Sequence, residues 1–264
     1  MRATVPKVTV LLVFLALAAP PPNAPIPRDP PALASRLETT THDLAAAIDR
    51  WQPRTGRVPE DVTLYALYQQ RILILLSEKP TLAKAVFERL RRSPLRSEVL
   101  ARRGLGRLSS PRPLSAFRTG PAQPADRLRA YYLEAQRRFG VAWNVLAAVN
   151  YVESAFNKLR NASSAGAQGP MQFIPSTWRR YGLGGNVHDP HDAILGAANY
   201  LHANGAPRNY GRALYRYNPS RRYVDAVLRY ARRIRSDPRA YYVFYSRQVF
   251  VRTPHGLVRL TGPR

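Results

Sequence analysis

Apolar residues recur along most of the chain at the spacing that places side chains on one face of an α-helix. Between residues 32 and 110 they return every three or four positions, which predicts a series of amphipathic helices. The run includes Leu64, Leu67, Ile72, Leu73 and Leu76, followed by Leu82, Val86, Phe87 and Leu90. Since no chemistry-bearing motif occurs in this stretch, we interpret residues 32–110 as a helical accessory region.

A second helical region follows a loop rich in proline, serine and glycine, Ser109–Pro124. Apolar spacing predicts a helix over Ala125–Phe139, and the almost wholly apolar run Val141–Val152 predicts a helix that is buried on most of its surface. A last long helix is predicted over residues 221–235. We therefore place a domain boundary in the loop and assign residues 120–237 to a second domain.

Residues 238–264 differ in kind, because β-branched and aromatic residues occur there in short runs separated by turn residues. Tyr242–Tyr245, Val249–Val251 and Leu257–Leu260 are predicted as short strands, with a turn at Thr253–Gly256. The sequence therefore predicts a mainly α-helical protein with an N-terminal helical accessory region and a short, β-hairpin-like C-terminal tail.

The N-terminus has the pattern of an export signal. Positive charges precede the apolar run Val8–Ala19, and Ala16–Ala18 offers a small-residue cleavage site. We assign residues 1–18 to a signal peptide, because the run is shorter than the about 20 residues of a membrane span. Retention as an uncleaved membrane anchor is the alternative. Residues 19–31 are rich in proline, which predicts an extended, semi-rigid spacer.

The composition of the chain narrows the classes of partner that it can be expected to bind. Lys and Arg number 41 against 16 acidic residues, a formal net charge of +25, which favours a polyanionic neighbourhood such as nucleic acid, an anionic membrane surface or an acidic cell wall. The export signal argues against nucleic acid, and the basic residues are spread along the whole chain. Absence of cysteine excludes disulfides, a thiolate zinc site and a catalytic thiol. We expect an exported protein on the cell-wall side.

Glu153 is the first candidate for chemistry, since it directly follows the apolar run of the buried helix. Burial disfavours a carboxylate anion, so the pKa of this side chain should rise from about 4.3 and let it act as a general acid near neutral pH. A glutamate at a helix end is more often exposed or ion-paired, so the surrounding motifs have to decide between the two interpretations.

Three sequence blocks supply that context. They are Glu153–Asn157, Ser164–Trp178, and Ala213–Asn218 with Tyr223-Val224 after it. In this order and at this spacing they resemble the lysozyme-like lytic transglycosylase (soluble lytic transglycosylase) family over about residues 125–236, and Ala197–Leu201 is similar to its actinobacterial branch. Pro170 and Arg216 depart from the leucine and alanine usual in the family.

The resemblance implies a lysozyme-like catalytic domain in which Glu153 is the single catalytic acid and base. It also implies a set of substrate-binding residues, namely Ser154, Gly169, Met171, Gln172, Tyr217 and Asn218. Tyr217 and Asn218 are expected at a helix start, orienting Glu153 and holding a saccharide. Gly169 lets the backbone approach a sugar, and Gln172 offers both a hydrogen-bond donor and an acceptor. Met171, by its residue type, is more often a core residue.

No cofactor and no metal are expected. His188 and His191 with Asp189 and Asp192 match a metal cluster by count. Asp189 ahead of Pro190, however, is the usual start signal of a helix, in which the aspartate caps the first turn, and this accounts for the acidic residues without a metal.

The function implied by the resemblance is cleavage of the β-1,4 bond between N-acetylmuramic acid (MurNAc) and N-acetylglucosamine (GlcNAc) in peptidoglycan, leaving 1,6-anhydro-MurNAc ends. A lysozyme-type muramidase, which uses the same acid with water as nucleophile, stays open, as does a non-catalytic wall-binding protein. Expected partners are peptidoglycan glycan strands and anionic wall polymers, not nucleic acid.

Overall fold

The computed structural model describes residues 18–52, 54, 56–163 and 165–263. The predicted signal peptide lies outside these residues, apart from Ala18. The described chain is mainly α-helical and ends in a two-stranded antiparallel hairpin, so the predicted fold class is confirmed. Among these residues no helix combines the length and the apolar character needed to cross a bilayer.

The described part of the accessory region contains four helices. They are α1 (Pro30–Arg50), α2 (Glu60–Glu78), α3 (Pro80–Arg89) and α4 (Leu95–Gly106). Helix α1 begins at Pro30 because Asp29 caps it, with its side chain accepting from the Ala32 amide. Proline also opens α3, where its missing N–H costs no helical hydrogen bond.

Seven further helices and the hairpin follow a loop that contains one 3-10 turn, Leu114–Ala116. They are α5 (Ala125–Phe139), α6 (Trp143–Ser154), α7 (Pro175–Tyr181), α8 (Pro190–Ala203), α9 (Tyr210–Tyr217), α10 (Arg221–Ser236), α11 (Arg239–Ser246), β1 (Phe250–Thr253) and β2 (Gly256–Arg259). Helix α5 coincides with its prediction, and α10 ends one residue beyond it. Helix α6 extends past the predicted apolar run and carries Glu153 in its last turn.

The predicted strand at Tyr242–Tyr245 is wrong, because these residues lie in α11. A short aromatic run has no periodicity that separates a buried strand from a buried helix. Tertiary contacts favour the helix: the Tyr241 hydroxyl donates to the Ala125 carbonyl and the Tyr245 hydroxyl to the Gln123 carbonyl. The two later strands form the hairpin as expected.

The accessory helices and the second region share one hydrophobic core. Buried side chains of α1 and α2 join those of α5, α6 and α10 in the same cluster. Trp51 at the end of α1 lies against Tyr242 and Tyr245, with ring centroids 6.0 and 6.3 Å apart. A smaller core lies among α1 to α4. The loop at which we placed a domain boundary therefore connects two parts of one packed body.

The proline-rich segment is also packed. Arg71 of α2 donates to the carbonyls of Pro22 and Ala24, and the Tyr68 hydroxyl donates to the Pro25 carbonyl at 2.7 Å. The predicted spacer, residues 19–31, thus contacts α2, and its last two prolines belong to α1.

Candidate active site

The chain leaves α6 abruptly after Glu153. Ala155, Phe156 and Asn157 all have positive φ angles, of 50°, 62° and 66°, a region that non-glycine residues rarely occupy. Buried contacts hold this turn: Phe156 is fully buried and stacks on Tyr151 with ring centroids 5.7 Å apart. The turn fixes the position of the last helical turn, which carries the candidate acid.

Ser154 links the first sequence block to the second. Its hydroxyl donates to the Pro170 carbonyl at 2.6 Å and accepts from the Asn157 amide at 2.8 Å, and the residue is 2% exposed. Asn150 donates to the same carbonyl. The hydroxyl that we predicted to bind substrate is therefore occupied by contacts within the protein.

The Glu153 carboxylate accepts a 2.6 Å hydrogen bond at Oε1 from the Tyr223 hydroxyl. Burial raises the pKa of Glu153 to about 7, although this hydrogen bond lowers it, because burial penalises the anion and a donor to the anion favours it. A carboxyl group with such a pKa is partly protonated near neutral pH, so it can both donate and accept a proton.

Tyr223 is the residue whose role we did not predict. It lies in the first turn of α10, where its amide donates to the capping Ser220 hydroxyl, and its side chain is 2% exposed. The Tyr223-Val224 pair formed part of the third sequence block, but nothing in the spacing separates its role from that of Tyr217. Which of the two tyrosine hydroxyls reaches Glu153 depends on how α9 and α10 pack.

Tyr217 lies close to Glu153 but does not bind it. It ends α9 and Asn218 caps that helix, so the predicted location at a helix start is wrong. Its hydroxyl donates to the Met171 carbonyl at 2.5 Å. Burial raises the pKa of Tyr217, with the charge of Glu153 as the next cause. Tyr217 thus connects the third block to the second beside the acid.

The second block forms a tight turn built on Gly169 and Gln172. Gly169 has a φ of 75°, and a side-chain Cβ there would lie 1.9 Å from the Val187 carbonyl oxygen, so only glycine fits. The side-chain amide of Gln172 donates from Nε2 to the backbone carbonyls of Gly169 and Asn161, at 3.0 and 3.1 Å. Met171 is fully buried. In the described chain these two backbone carbonyls, and not Glu153, accept the hydrogen bonds of the Gln172 side chain, and its role in substrate binding stays a prediction.

Glu153 lines a cleft of about 760 Å³ whose walls come from distant parts of the sequence. One wall is the end of α6, including Tyr151 and Glu153. The opposite walls are α4, through Arg102, and the C-terminal hairpin, through Leu257. The accessory region and the tail, for which the sequence indicated no function, thus form part of the cavity that contains the candidate acid.

The Asp189, His191 and Asp192 side chains lie together at the start of α8. Asp189 accepts from the amides of His191 and Asp192, as a helix cap does. The His191 ring lies 3.0 Å from Glu134 and 3.4 Å from Asp192. Capping and ion pairing account for each group, and the expectation of no metal stays a prediction.

Residues 130–236 match the family model of the transglycosylase SLT domain. Two curated relatives are similar to the chain. The membrane-bound lytic murein transglycosylase F of Thiobacillus denitrificans is 36% identical over 95 residues, 36% of this chain and 20% of the relative. The membrane-bound lytic murein transglycosylase F 1 of Alkalilimnicola ehrlichii is 29% identical over 159 residues, 54% of this chain and 32% of the relative.

These matches confirm the resemblance to lytic transglycosylases for the region that contains Glu153 and all three sequence blocks; the actinobacterial branch stays a prediction. The matched part of the chain spans only a fifth to a third of the length of these relatives. No solved structure gives a significant match.

Proposed function

We infer that this chain, which carries a transglycosylase SLT domain over residues 130–236, is a lytic transglycosylase that cleaves the glycan strands of peptidoglycan. The observation that carries this inference is the Glu153 carboxyl group, half-buried at the cleft and held by the Tyr223 hydroxyl, with a pKa of about 7. The export and wall-side location predicted from the N-terminus belong to the same proposal.

In the proposed reaction the Glu153 carboxylic acid protonates the bridging oxygen between MurNAc and GlcNAc, which breaks the glycosidic bond. The resulting carboxylate then takes the proton from the C6 hydroxyl of the same MurNAc, whose oxygen closes the 1,6-anhydro ring. One residue serves as acid and as base. Tyr223 orients the carboxyl group, and its hydrogen bond stabilises the carboxylate formed after the first step.

The reaction outcome separates this proposal from a muramidase. Hydrolases normally use two carboxylates about 5 to 10 Å apart, and Asp225, a carboxylate on α10, pairs with Arg229 at 2.7 Å. We expect digestion of purified peptidoglycan in heavy-oxygen water to give unlabelled 1,6-anhydro ends by mass spectrometry. Label at the new muramyl ends would identify water as the nucleophile. Glu78, an exposed carboxylate on the cleft lining, would then be the first candidate for the base.

Replacing Tyr223 by phenylalanine should change the pH profile of cleavage. The acid step needs protonated Glu153, so activity should fall as the pH rises through about 7. Because the Tyr223 hydrogen bond lowers the pKa of Glu153, its loss should move that alkaline limb to higher pH. Tyr217→Phe, which removes a hydroxyl bound to a backbone carbonyl, is the matched control. An unmoved limb in Tyr223→Phe would contradict the assigned role of Tyr223.

A further inference from the structure

Arg102 of α4 is a half-buried cation on the lining of the cleft. Within the part of the chain that the structure describes, its guanidinium has neither a hydrogen-bond nor an ion-pair partner. Removing a charge from water without a partner is energetically unfavourable. A folded protein usually avoids this cost, so an unpaired arginine facing a cavity indicates a site for an anion.

The charged and phenolic groups around Arg102 are consistent with an anion site. Burial lowers the pKa of Arg102, and the nearby charge of Arg247 lowers it further, while the phenols of Tyr151 and Tyr230 act in the opposite direction. Glu98 is no partner for it, because that carboxylate is bound by Arg247 at 2.6 Å. The charge of Glu78, an exposed carboxylate on the same cleft lining, also favours the cation, but among the described residues it forms no ion pair with Arg102. The Arg102 guanidinium therefore has two phenols and one distant carboxylate around it, and none of them is a direct partner.

Other arginines near Arg102 differ from it. Arg103, the next residue of α4, donates to the carbonyls of Ser77 and Leu76 and so joins α4 to α2. Arg107 and Arg252 lie exposed on the cleft lining, where they add positive potential. Arg102 alone among these combines partial burial, a place on the cleft and an unused fork of N–H donors.

We propose that Arg102 binds a carboxylate of the peptide attached to MurNAc, so that α4 of the accessory region forms a peptide subsite of the cleft. This inference rests on the proposed function. In peptidoglycan the lactyl carboxyl group of MurNAc is amide-linked to the peptide, so the carboxylates of a peptide-bearing strand are those of the peptide. An arginine fork pairs with a carboxylate through two parallel hydrogen bonds. The cleft of about 760 Å³ is in the size range of ligand sites.

The test is a binding measurement that does not depend on cleavage. The full chain carrying Glu153→Gln is titrated with two purified glycan fragments of equal length, one bearing peptides and one freed of them with its lactyl carboxyl groups converted to neutral amides. We expect about 10-fold tighter binding of the peptide-bearing fragment, as for a hydrogen-bonded charge. Adding Arg102→Gln should reduce that preference to near unity, whereas Arg102→Lys should keep part of it.

Arg96→Gln is the matched control, because it removes the same charge from an exposed position of α4 outside the cleft lining. It should leave the preference unchanged. Equal binding of both fragments by the parent chain, or an equal loss for both fragments in Arg102→Gln, would overturn the subsite. The melting temperature of Arg102→Gln should not fall, since no hydrogen bond is lost. Cleavage by the unmodified chain tests the proposed function separately.

Discussion

Replacing Glu153 by glutamine should reduce glycan cleavage by at least about 10²- to 10⁴-fold, the contribution typical of one acid or base group. The loss should be larger if this residue fills both roles. Glutamine keeps the shape of the side chain and accepts the Tyr223 hydrogen bond, but it can neither give up nor take the proton. The measurement is release of soluble muropeptides from purified peptidoglycan, and turnover near that of the unmodified chain would remove Glu153 from the mechanism.

The same variant provides its own control for folding. Burial raises the pKa of Glu153 from 4.5 to about 7, so the folded state holds the proton more tightly than the unfolded state. This group therefore lowers the free energy of unfolding as the pH rises from about 4.5 to 7, by on the order of 3 kcal/mol. In Glu153→Gln the free energy of unfolding does not fall in this way, because glutamine does not titrate. Thermal unfolding at pH 8 should show the inactive variant to be more stable than the parent chain.

Sequence reasoning was most successful where local signals decide the structure. Asp189-Pro190 marked the start of α8, and the spacing of apolar residues marked α5 and α10 within a residue. The family blocks likewise pointed to Glu153, whose burial at a helix end could be inferred from the apolar run before it. These features depend on residues close together in the chain.

The partner of Glu153 and the walls of its cleft could not be predicted in this way. Tyr217 and Tyr223 are both aromatic residues of one block, and only the packing of α9 against α10 brings the second hydroxyl to the carboxylate. The wall formed by α4 and the hairpin depends on contacts between the two ends of the chain. One of them joins the Gln70 side chain to the Gln248 carbonyl. The spacing of apolar residues along the chain carries no information about such long-range contacts.

Some of the positively charged side chains stabilise the fold, which composition alone did not reveal. Arg247 and Arg233 are buried beside Glu98 in a network that joins α4, α10 and the segment before the hairpin. Although burial lowers the pKa of Arg247, the Glu98 carboxylate and Tyr151 hold it above its ordinary value. Some of the excess arginine thus joins the accessory region to the region that contains Glu153, while Arg102 faces the cleft.

Replacing Glu98 by glutamine should therefore be among the most destabilising single changes in the chain. Glu98 is 3% exposed, Arg247 is 4% exposed, and the two side chains lie 2.6 Å apart. Removing the carboxylate leaves Arg247 buried without an anion, whereas Arg233 keeps its pair with Asp237 at 3.2 Å. Breaking a buried pair in this way typically costs about 3–5 kcal/mol. Equilibrium unfolding in urea measures the change in the free energy of unfolding.

Asp225→Asn is the matched control for Glu98→Gln. It makes the same acid-to-amide change in a carboxylate that pairs with Arg229 on the surface of α10, with half of the Asp225 side chain (50%) exposed. Water and salt screen such a pair, so the expected cost is below about 1 kcal/mol. Equal losses in the two variants would show that burial of the Glu98 pair does not hold α4 in place. If it does, Glu98→Gln should also loosen the cleft wall and weaken binding of the peptide-bearing glycan fragment, whereas Asp225→Asn should leave that binding unchanged.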